Sequence, residues 1–477
     1  MKLDRLKIWE IETTYDVNSI YLNQIDIWPW LRELIVVHLN TQQFPVHISK
    51  TSKLSTLKNR FCSLFYCFKN WFKKSPIIAF SVSSNLSTVC SMQYDRYLGQ
   101  VLADYPQTLL VEYSDNLHPE ISNRAHQRVA SFSLLIAISL VLAVFIRPNL
   151  KGESILNDIL NDLSINESAK RKIKSKLILF YARYCLSKFL FKLKAIKIML
   201  CTCHYLVLPE LRAAKELGIK VIEFQHGLID QYHISFIKKV KQNELNMPTI
   251  LVAFGEKLKP LFKGENCFIG EKNVIVLGSF IIDFIQSLNK LPGELTRIRN
   301  EYNKVVVIPS VSNFEKETID FVKETALLNA DIAYLYYPRT VTPLVQEWIG
   351  VNKPPNIFLL EGISFYEALK ITDCHATTFS TTAIEALSFG VKNVFISLKS
   401  FESDIQAKDH FLSIIGEKNC TTVNSPETFL SEIQLENASF SQIRKIENKP
   451  NYELDYYMNY QSKLQPILNE VLDNGLE

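Results

Sequence analysis

The chain has 477 residues, 47% of them hydrophobic and 21% charged, with a net charge of +4. That length predicts about three units of ordinary domain size, and the globular composition excludes collagen-like, coiled-coil and disordered readings. Only 14 glycines occur, in neither a G-x-G-x-x-G nor a G-x-x-x-x-G-K-[ST] run, which argues against a dinucleotide oxidoreductase or a P-loop ATPase.

Nine scattered cysteines include no C-x-x-C pair. Cys201, Cys203 and His204 cluster three donors where zinc takes four, so buried thiols in a reducing compartment and no bound metal are expected. Asp4, Glu10, Glu12 and Asp16 interrupt the apolar positions of the first thirty residues, as no secretory signal would tolerate, and a cytoplasmic location is expected.

Residues 1–75 are predicted as a helical, basic N-terminal extension in which Trp28-Pro29-Trp30-Leu31-Arg32 turns into a helix. Lys50 to Lys74 holds seven cations and no carboxylate. Phe61, Leu64, Phe65, Phe68, Trp71 and Phe72 recur there at helical spacing, the form of an interfacial helix on anionic lipid or of a core helix with a basic rim. From Pro76 the pattern changes to a buried strand, Ile77 to Val82, a polar loop, a helix from Gln93 to Asp104 and a strand from Thr108 to Tyr113. A helical insertion is expected over about 115–195. Within it, Val129 to Ile146 is an 18-residue charge-free run, the lower bound for a membrane span. Three serines dilute it and Pro148 stops it, so a buried or monotopic helix is preferred to a span. Lys170 to Lys197 then carries ten cations and no carboxylate. Leu179, Ala182, Leu186, Phe189 and Leu193 form its apolar stripe, with Phe180, Tyr184 and Phe191 off it. Clustered bulky aromatics point to a bilayer or a core, and no nucleic-acid partner is expected.

Strands at Ile196 to Cys201, Lys220 to Phe224, Thr249 to Phe254 and Asn273 to Leu277, with a helix at Pro209 to Leu217, complete a first Rossmann-like domain over 76–290. Asn289 to Asn303 reads as a linker. A second domain over 303–440 alternates strands at Lys304 to Ile308, Ile332 to Tyr337, Asn356 to Leu360, Cys374 to Thr377 and Asn393 to Ile396 with helices at Glu315 to Leu328, Phe365 to Ile371 and Thr382 to Phe389. Residues 441–477 supply a last helix, Leu454 to Asp473, that returns to brace the first half. Strand–helix alternation implies an α/β fold with parallel sheets covered on both faces.

Ligands of such sheets bind beyond the carboxyl ends of the strands. Lys220 to Phe224 runs directly into Gln225-His226-Gly227, followed by Asp230 and His233. A His beside a Gly at a strand end suits a general base, with Asp230 or Glu223 to orient it and an unperturbed pKa near neutrality; a strand-capping His is the structural alternative. In the second half Ser380, Thr381 and Thr382 open a helix carrying Glu385, an arrangement suited to phosphates and a ribose, although Thr382 and Glu385 also have capping-box spacing. Ser364 and Glu367 have the same spacing and read as a plain cap. Ser310 and Arg339 follow the first and second strands of this half, and Arg339 could pair with phosphate.

These residues also carry a resemblance. Phe224-Gln225-His226-Gly227, with Ser380-Thr381-Thr382-Ala383-Ile384-Glu385-Ala386-Leu387 in a second Rossmann half, resembles bacterial surface-polysaccharide glycosyltransferases of the GT-B type. It is also similar to the related CDP-glycerol glycerophosphotransferases of teichoic-acid synthesis. The likeness covers about residues 76–440 and implies two Rossmann-like domains facing a cleft, working without a metal or other cofactor. Its expected partners are a nucleotide sugar, a polysaccharide or lipid-linked acceptor and the inner face of the bacterial inner membrane. Families using CMP-linked sugars often carry His-Pro after the second strand of the nucleotide half, where this chain has Tyr337-Pro338. No Asp-x-Asp occurs. The resemblance implies His226 as base with Asp230; Ser310, Arg339, Ser380, Thr381, Thr382 and Glu385 on the donor; and Gln225, Gly227 and His233 toward the acceptor. Transfer of a polyol phosphate from a CDP-polyol, or a non-catalytic scaffold, are the alternatives.

Overall fold

The computed structural model describes residues 2–43, 62–114, 118, 120–231, 233–264, 269–311, 314–338, 341, 343–378, 380–398, 420–434 and 456–473. The chain divides into two compact units, one of Met1–Leu86, Asp95–Leu277 and Tyr457–Glu477, the other of Ser87–Tyr94 and Gly278–Tyr456.

The first unit is built on seven strands: β1 (Ile77–Val82), β2 (Leu109–Tyr113), β3 (Val129–Ser131), β4 (Ile198–Cys201), β5 (Lys220–Phe224), β6 (Ile250–Ala253) and β7 (Val274–Val276). They lie in the order β7-β6-β5-β4-β1-β2-β3, every pair parallel. Runs such as Ile77 to Phe80 and Ile198 to Cys201 are buried along their length, as strands covered on both faces must be. The order reverses between β1 and β4, so this sheet has its topological switch there.

The N-terminal residues belong to this unit's core and are no appendage. Helices α1 (Lys2–Thr14) and α2 (Trp28–Gln43) bury Trp28, Trp30 and Arg32 completely. The Glu12 carboxylate accepts from Arg32 Nε at 2.7 Å, Trp28 Nε1 at 3.1 Å and the Lys239 amide at 2.8 Å. This region also contains strand: Tyr21–Leu22 pairs with both Ile25–Asp26 and Leu150–Lys151.

The expected aromatic helix near residue 70 is not continuous. Lys50, Lys53, Lys58, Arg60 and Phe61 lie outside the described residues. Beyond them, Cys67 takes a left-handed φ of 48°, and Phe68–Phe72 is a short 3₁₀ turn. Asn70 causes the break, because its amide donates to the Val129 carbonyl at 2.8 Å and ties the segment along edge strand β3. The edge is thereby covered; Trp71 turns inward, and Phe65, Phe68 and Phe72 stay exposed.

The charge-free run divides into β3 and helix α4 (Phe132–Phe145). Ser131 makes the division by capping the Ser133 amide. Fourteen residues rise only about 21 Å against a hydrocarbon core of about 30 Å, and no described helix is long and apolar enough to cross a membrane. Ile138, Leu140, Val141, Val144 and Phe145 of α4 are nonetheless exposed. In the long helix α5 (Glu167–Lys194) the predicted stripe fails toward the C-terminus: Phe189 and Leu193 are exposed, while Arg183, Tyr184, Ser187 and Phe191 are buried. The Arg183–Glu210 ion pair, 2.6 Å, sets that rotation.

The second unit carries β8 (Lys304–Pro309), β9 (Ile332–Tyr337), β10 (Ile357–Phe358), β11 (Cys374–Thr377), β12 (Lys392–Ile396) and β13 (Cys420–Val423). Their order is β10-β9-β8-β11-β12-β13, again all parallel, with a switch between β8 and β11. This unit starts earlier than residue 303. Phe280–Ser287 is already one of its helices, packing Ile281, Ile282 and Ile285 on Tyr366 and Val89. The presumed linker contains a helix, Gly293–Glu301, whose Leu295 and Ile298 cover Val305 and Val307.

Val89 belongs to a two-stranded element, Leu86–Val89 and Met92–Asp95, joined through Cys90 and Ser91 at φ 50° and 65°, the signs of a type I′ turn. It replaces the first half of the helix expected over Gln93 to Asp104, of which only α3 (Gly99–Asp104) forms. Asp95 is the reason, since its carboxylate accepts from the amides of Tyr97 and Leu98, both at 2.9 Å. The last helix, Gln465–Asp473, packs in the first unit, where Asn469 accepts from Tyr105 at 2.6 Å.

Candidate active site

Because the first sheet is parallel, the exits of β1, β4 and β5 share one edge, and polar residues gather there. Asn85 bridges the two sides of the switch by donating to Ser81 Oγ at 3.0 Å and Thr202 Oγ1 at 3.1 Å. Ser81 in turn donates to the buried Asp95 carboxylate at 2.6 Å. His226 follows β5, half-buried, with Nε2 2.9 Å from the Tyr205 hydroxyl, and its carbonyl accepts from Tyr97 at 2.7 Å. Nδ1 of His226 is buried without a partner of hydrogen-bond geometry among the described residues.

Neither expected carboxylate orients this ring. Glu223 turns to His204, accepting from its amide at 3.0 Å and pairing with its Nδ1 at 2.9 Å. The Asp230 main-chain carbonyl holds the His233 amide at 3.1 Å. The orienting group is Tyr205, from the loop after β4. Nor is the imidazole unperturbed: burial lowers it to about 4, against the opposing pull of Glu223 and the Thr202 carbonyl. His226 is therefore neutral at physiological pH. Burial also raises the Glu223 carboxyl to about 8, which keeps it largely protonated.

Gln225 is accounted for by the chain itself. Its side chain donates to the Gly227 carbonyl at 2.8 Å and accepts from the Phe254 amide at 2.8 Å, fastening the loop to the exit of β6. A Cβ placed on Gly227 would meet nothing within 4 Å, so no internal packing demands glycine there.

In the second unit, β8 and β11 are neighbours across the switch and are followed by Ser310 and Thr378. Thr377 Oγ1 donates to the Pro309 carbonyl at 3.2 Å and joins the two exits. Thr382–Ser388 starts just beyond, with Thr381 exposed at its N-cap and no side-chain cap. The capping box spaced between Thr382 and Glu385 does not form. Thr382 Oγ1 lies 3.0 Å from His375 Nε2, and Glu385 accepts from the Tyr366 hydroxyl at 2.8 Å. Ser380 Oγ accepts from the Thr382 amide at 3.3 Å. The second such spacing is a cap in fact: Ser364 and Glu367 bond reciprocally at 3.1 and 2.9 Å.

Ser310 is less available than its position suggests. Its hydroxyl donates at 2.6 Å to the Glu315 carboxylate, whose other oxygen accepts from Tyr336 at 2.7 Å. Arg339 lies outside the described residues. Tyr205, Tyr97, Asp95 and Tyr366 were absent from the sequence-derived site; Tyr205 could have been reached by applying the strand-exit rule to β4 as well as β5.

No protein-family model matches the sequence, and no curated protein matches it. Among solved structures, the chain is similar to UDP-GlcNAc 2-epimerase from Neisseria meningitidis bound to UDP-GlcNAc, at 13% identity and TM-score 0.47, over 83% of this chain and 100% of that one. It is similar to the wall teichoic acid polymerase TagF at 11% identity and TM-score 0.45, over 94% and 98% of the two chains. A glycotransferase of kitacinnamycin aligns at 11% identity and TM-score 0.46, over 84% and 100%.

Proposed function

We propose that the chain is a metal-independent transferase of GT-B type. It moves a sugar from a nucleotide-activated donor to a bacterial surface polysaccharide or its lipid-linked precursor. The observation carrying this reading is the paired strand order: each unit reverses its sheet once, and the motif residues cluster at the carboxyl edges beside those reversals.

In this reading the donor lies against the second unit. Ser380, Thr381 and Thr382 meet its phosphates, Glu385 accepts from ribose hydroxyls, and Arg339 balances the remaining negative charge. The donor is the only nucleotide required. His226 takes the proton of the acceptor hydroxyl as that oxygen bonds to the anomeric carbon and the nucleotide leaves with its phosphate. Asp230, Gln225, Gly227 and His233 line the acceptor side. The basic stretch that ends at Lys74 and the exposed apolar residues of α4 support work at an anionic membrane surface, the cytoplasmic face of the inner membrane.

The test is incubation of the purified chain with a panel of nucleotide sugars and CDP-glycerol, following nucleotide release. UDP, GDP or CMP release from a sugar donor supports the reading. Release from CDP-glycerol alone replaces it with polyol-phosphate transfer, and binding without release replaces it with a scaffold.

A further inference from the structure

We propose that a cationic, aromatic-rimmed groove at the amino edge of the first sheet seats the headgroup of an anionic phospholipid, so that the chain docks on a bilayer through the edge opposite His226. This deepens the membrane part of the reading above and rests on it. The groove, about 820 Å³, lies between the segment 65–73, the end of helix Gly99–Asp104 and the loop 121–128 that leads into β3. That volume suits a headgroup with its first acyl carbons.

Charge identifies the occupant. Lys69, Lys73 and Arg128 line the groove, and no carboxylate does among its described lining residues. Buried arginines elsewhere in this unit hold carboxylates: Arg32 pairs with Glu12, Arg124 with Glu112, Arg183 with Glu210 and Arg212 with Asp26. Arg128, only half-buried, instead donates to the Lys74 carbonyl, and its Nε alone is buried with no partner among the described residues. Burial lowers the pKa of Arg128. Lys194, bonded to the Lys73 carbonyl at 2.9 Å, is lowered by burial and by the charge of Arg128. Desolvated cations that repel one another are stabilised by an anion placed among them.

The rim excludes a free phosphate as the whole ligand. Phe65 and Phe68 line the groove and Phe72 adjoins them; they are 54%, 40% and 79% exposed and pack edge-to-face in sequence at 6.3 and 6.0 Å. Aromatic rings beside cations, facing outward, fit the boundary between headgroups and acyl chains. Single-stranded nucleic acid could also use rings and cations, but the second exposed apolar face, on α4, has no role in stacking bases.

The experiment is sedimentation of the full chain with phosphatidylcholine vesicles, with and without phosphatidylglycerol. Lys69→Glu with Lys73→Glu should lower affinity for the anionic vesicles at least about 30-fold, since each cation near such a surface contributes substantially. Arg171→Glu, Lys172→Glu and Lys176→Glu together, on the exposed face of α5, should change it less than about threefold. Phe72→Trp should show blue-shifted emission on the anionic vesicles and quenching by brominated acyl chains. Unchanged binding by the groove variant, or an equal loss in the α5 variant, overturns the groove. Preference for phosphatidylcholine vesicles doped with a polyprenyl phosphate overturns the phospholipid headgroup as its occupant, and preference for an RNA oligonucleotide overturns the bilayer. A wild-type chain that binds no vesicle overturns the membrane reading itself, and donor affinity in solution reports separately on the transferase.

Discussion

The Tyr205 hydroxyl lies 2.9 Å from His226 Nε2 and joins the loops leaving two hydrogen-bonded neighbours in the first sheet, β4 and β5. A half-buried imidazole with one nitrogen held by a phenol and the other buried has a fixed ring plane. A phenol beside a ring whose pKa is already low also supplies no charge to raise it. Position is what Tyr205 contributes.

His226→Ala should therefore lower turnover at least ~10²-fold with little change in donor affinity. Tyr205→Phe keeps the ring volume and removes the hydroxyl, and should lower kcat about tenfold at unchanged donor affinity. If the two act as one unit, the double variant loses no more than His226→Ala alone. Steady-state kinetics of the three variants, with His233→Ala beside them, check this. Near-normal turnover in His226→Ala with an inactive His233→Ala would transfer the role to the second histidine.

Protonation gives a second expectation. The His226 pKa is lowered from 6.5 to about 4, so activity that needs the neutral ring is kept on acidification until pH nears 4. A pH–rate profile should show no His226-dependent acid limb near 6.5. Stability behaves differently. His204, His226 and His375, lowered to about 3, 4 and 3 by burial, bind protons more readily unfolded, so stability falls as pH drops from 6.5 toward 4. Glu223, raised from 4.5 to about 8, acts in the other direction: the fold holds a proton that the unfolded chain has released, and stability falls as pH rises from 4.5 through 8. Glu223→Gln should flatten the alkaline side of a Tm-against-pH curve and raise Tm at pH 8.

Much of the fold was legible in the sequence because long apolar strands and their helices announce themselves by period. Lys220–Phe224, Ile332–Tyr337 and Glu315–Leu328 have the predicted limits. Failures came where one polar side chain outweighs the period. Asn70 breaks a helix by bonding a strand edge, Asp95 delays one by holding two amides, and Arg183 turns a long helix by pairing with Glu210. The placement of the candidate residues was legible to the same degree. Strand exits pointed to His226 and Ser380, while Tyr205 and Tyr366, which hold His226 and Glu385, come from remote loops and helices that spacing does not connect.

Glu385 offers a third test. With no capping box to maintain, Glu385→Gln should leave the unfolding free energy within about 1 kcal/mol of wild type, in line with a half-buried helix residue that loses part of one hydrogen bond. Donor affinity should fall about tenfold. Tyr366→Phe, which takes one donor from the carboxylate without removing it, should cause a smaller loss of the same kind. Calorimetric titration with nucleoside diphosphates checks both, and a Glu385→Gln protein that loses stability at full affinity would assign the carboxylate to the fold.

Ser310 separates fold from site by the opposite outcome. Its hydroxyl hydrogen points at Glu315, and that carboxylate is buried with Tyr336 on its other oxygen. Ser310→Ala leaves Glu315 with a buried oxygen short of one donor, a deficit typically worth ~1–3 kcal/mol. Glu315→Gln in the same background supplies an amide that needs no such donor, so the double variant should recover part of the loss. Donor affinity should move less than about threefold in both, because the hydroxyl has no hydrogen left to offer a phosphate. Urea unfolding at pH 7 with parallel nucleotide titration distinguishes the roles. A Ser310→Ala protein of wild-type stability that binds donor tenfold more weakly would return the serine to the donor site.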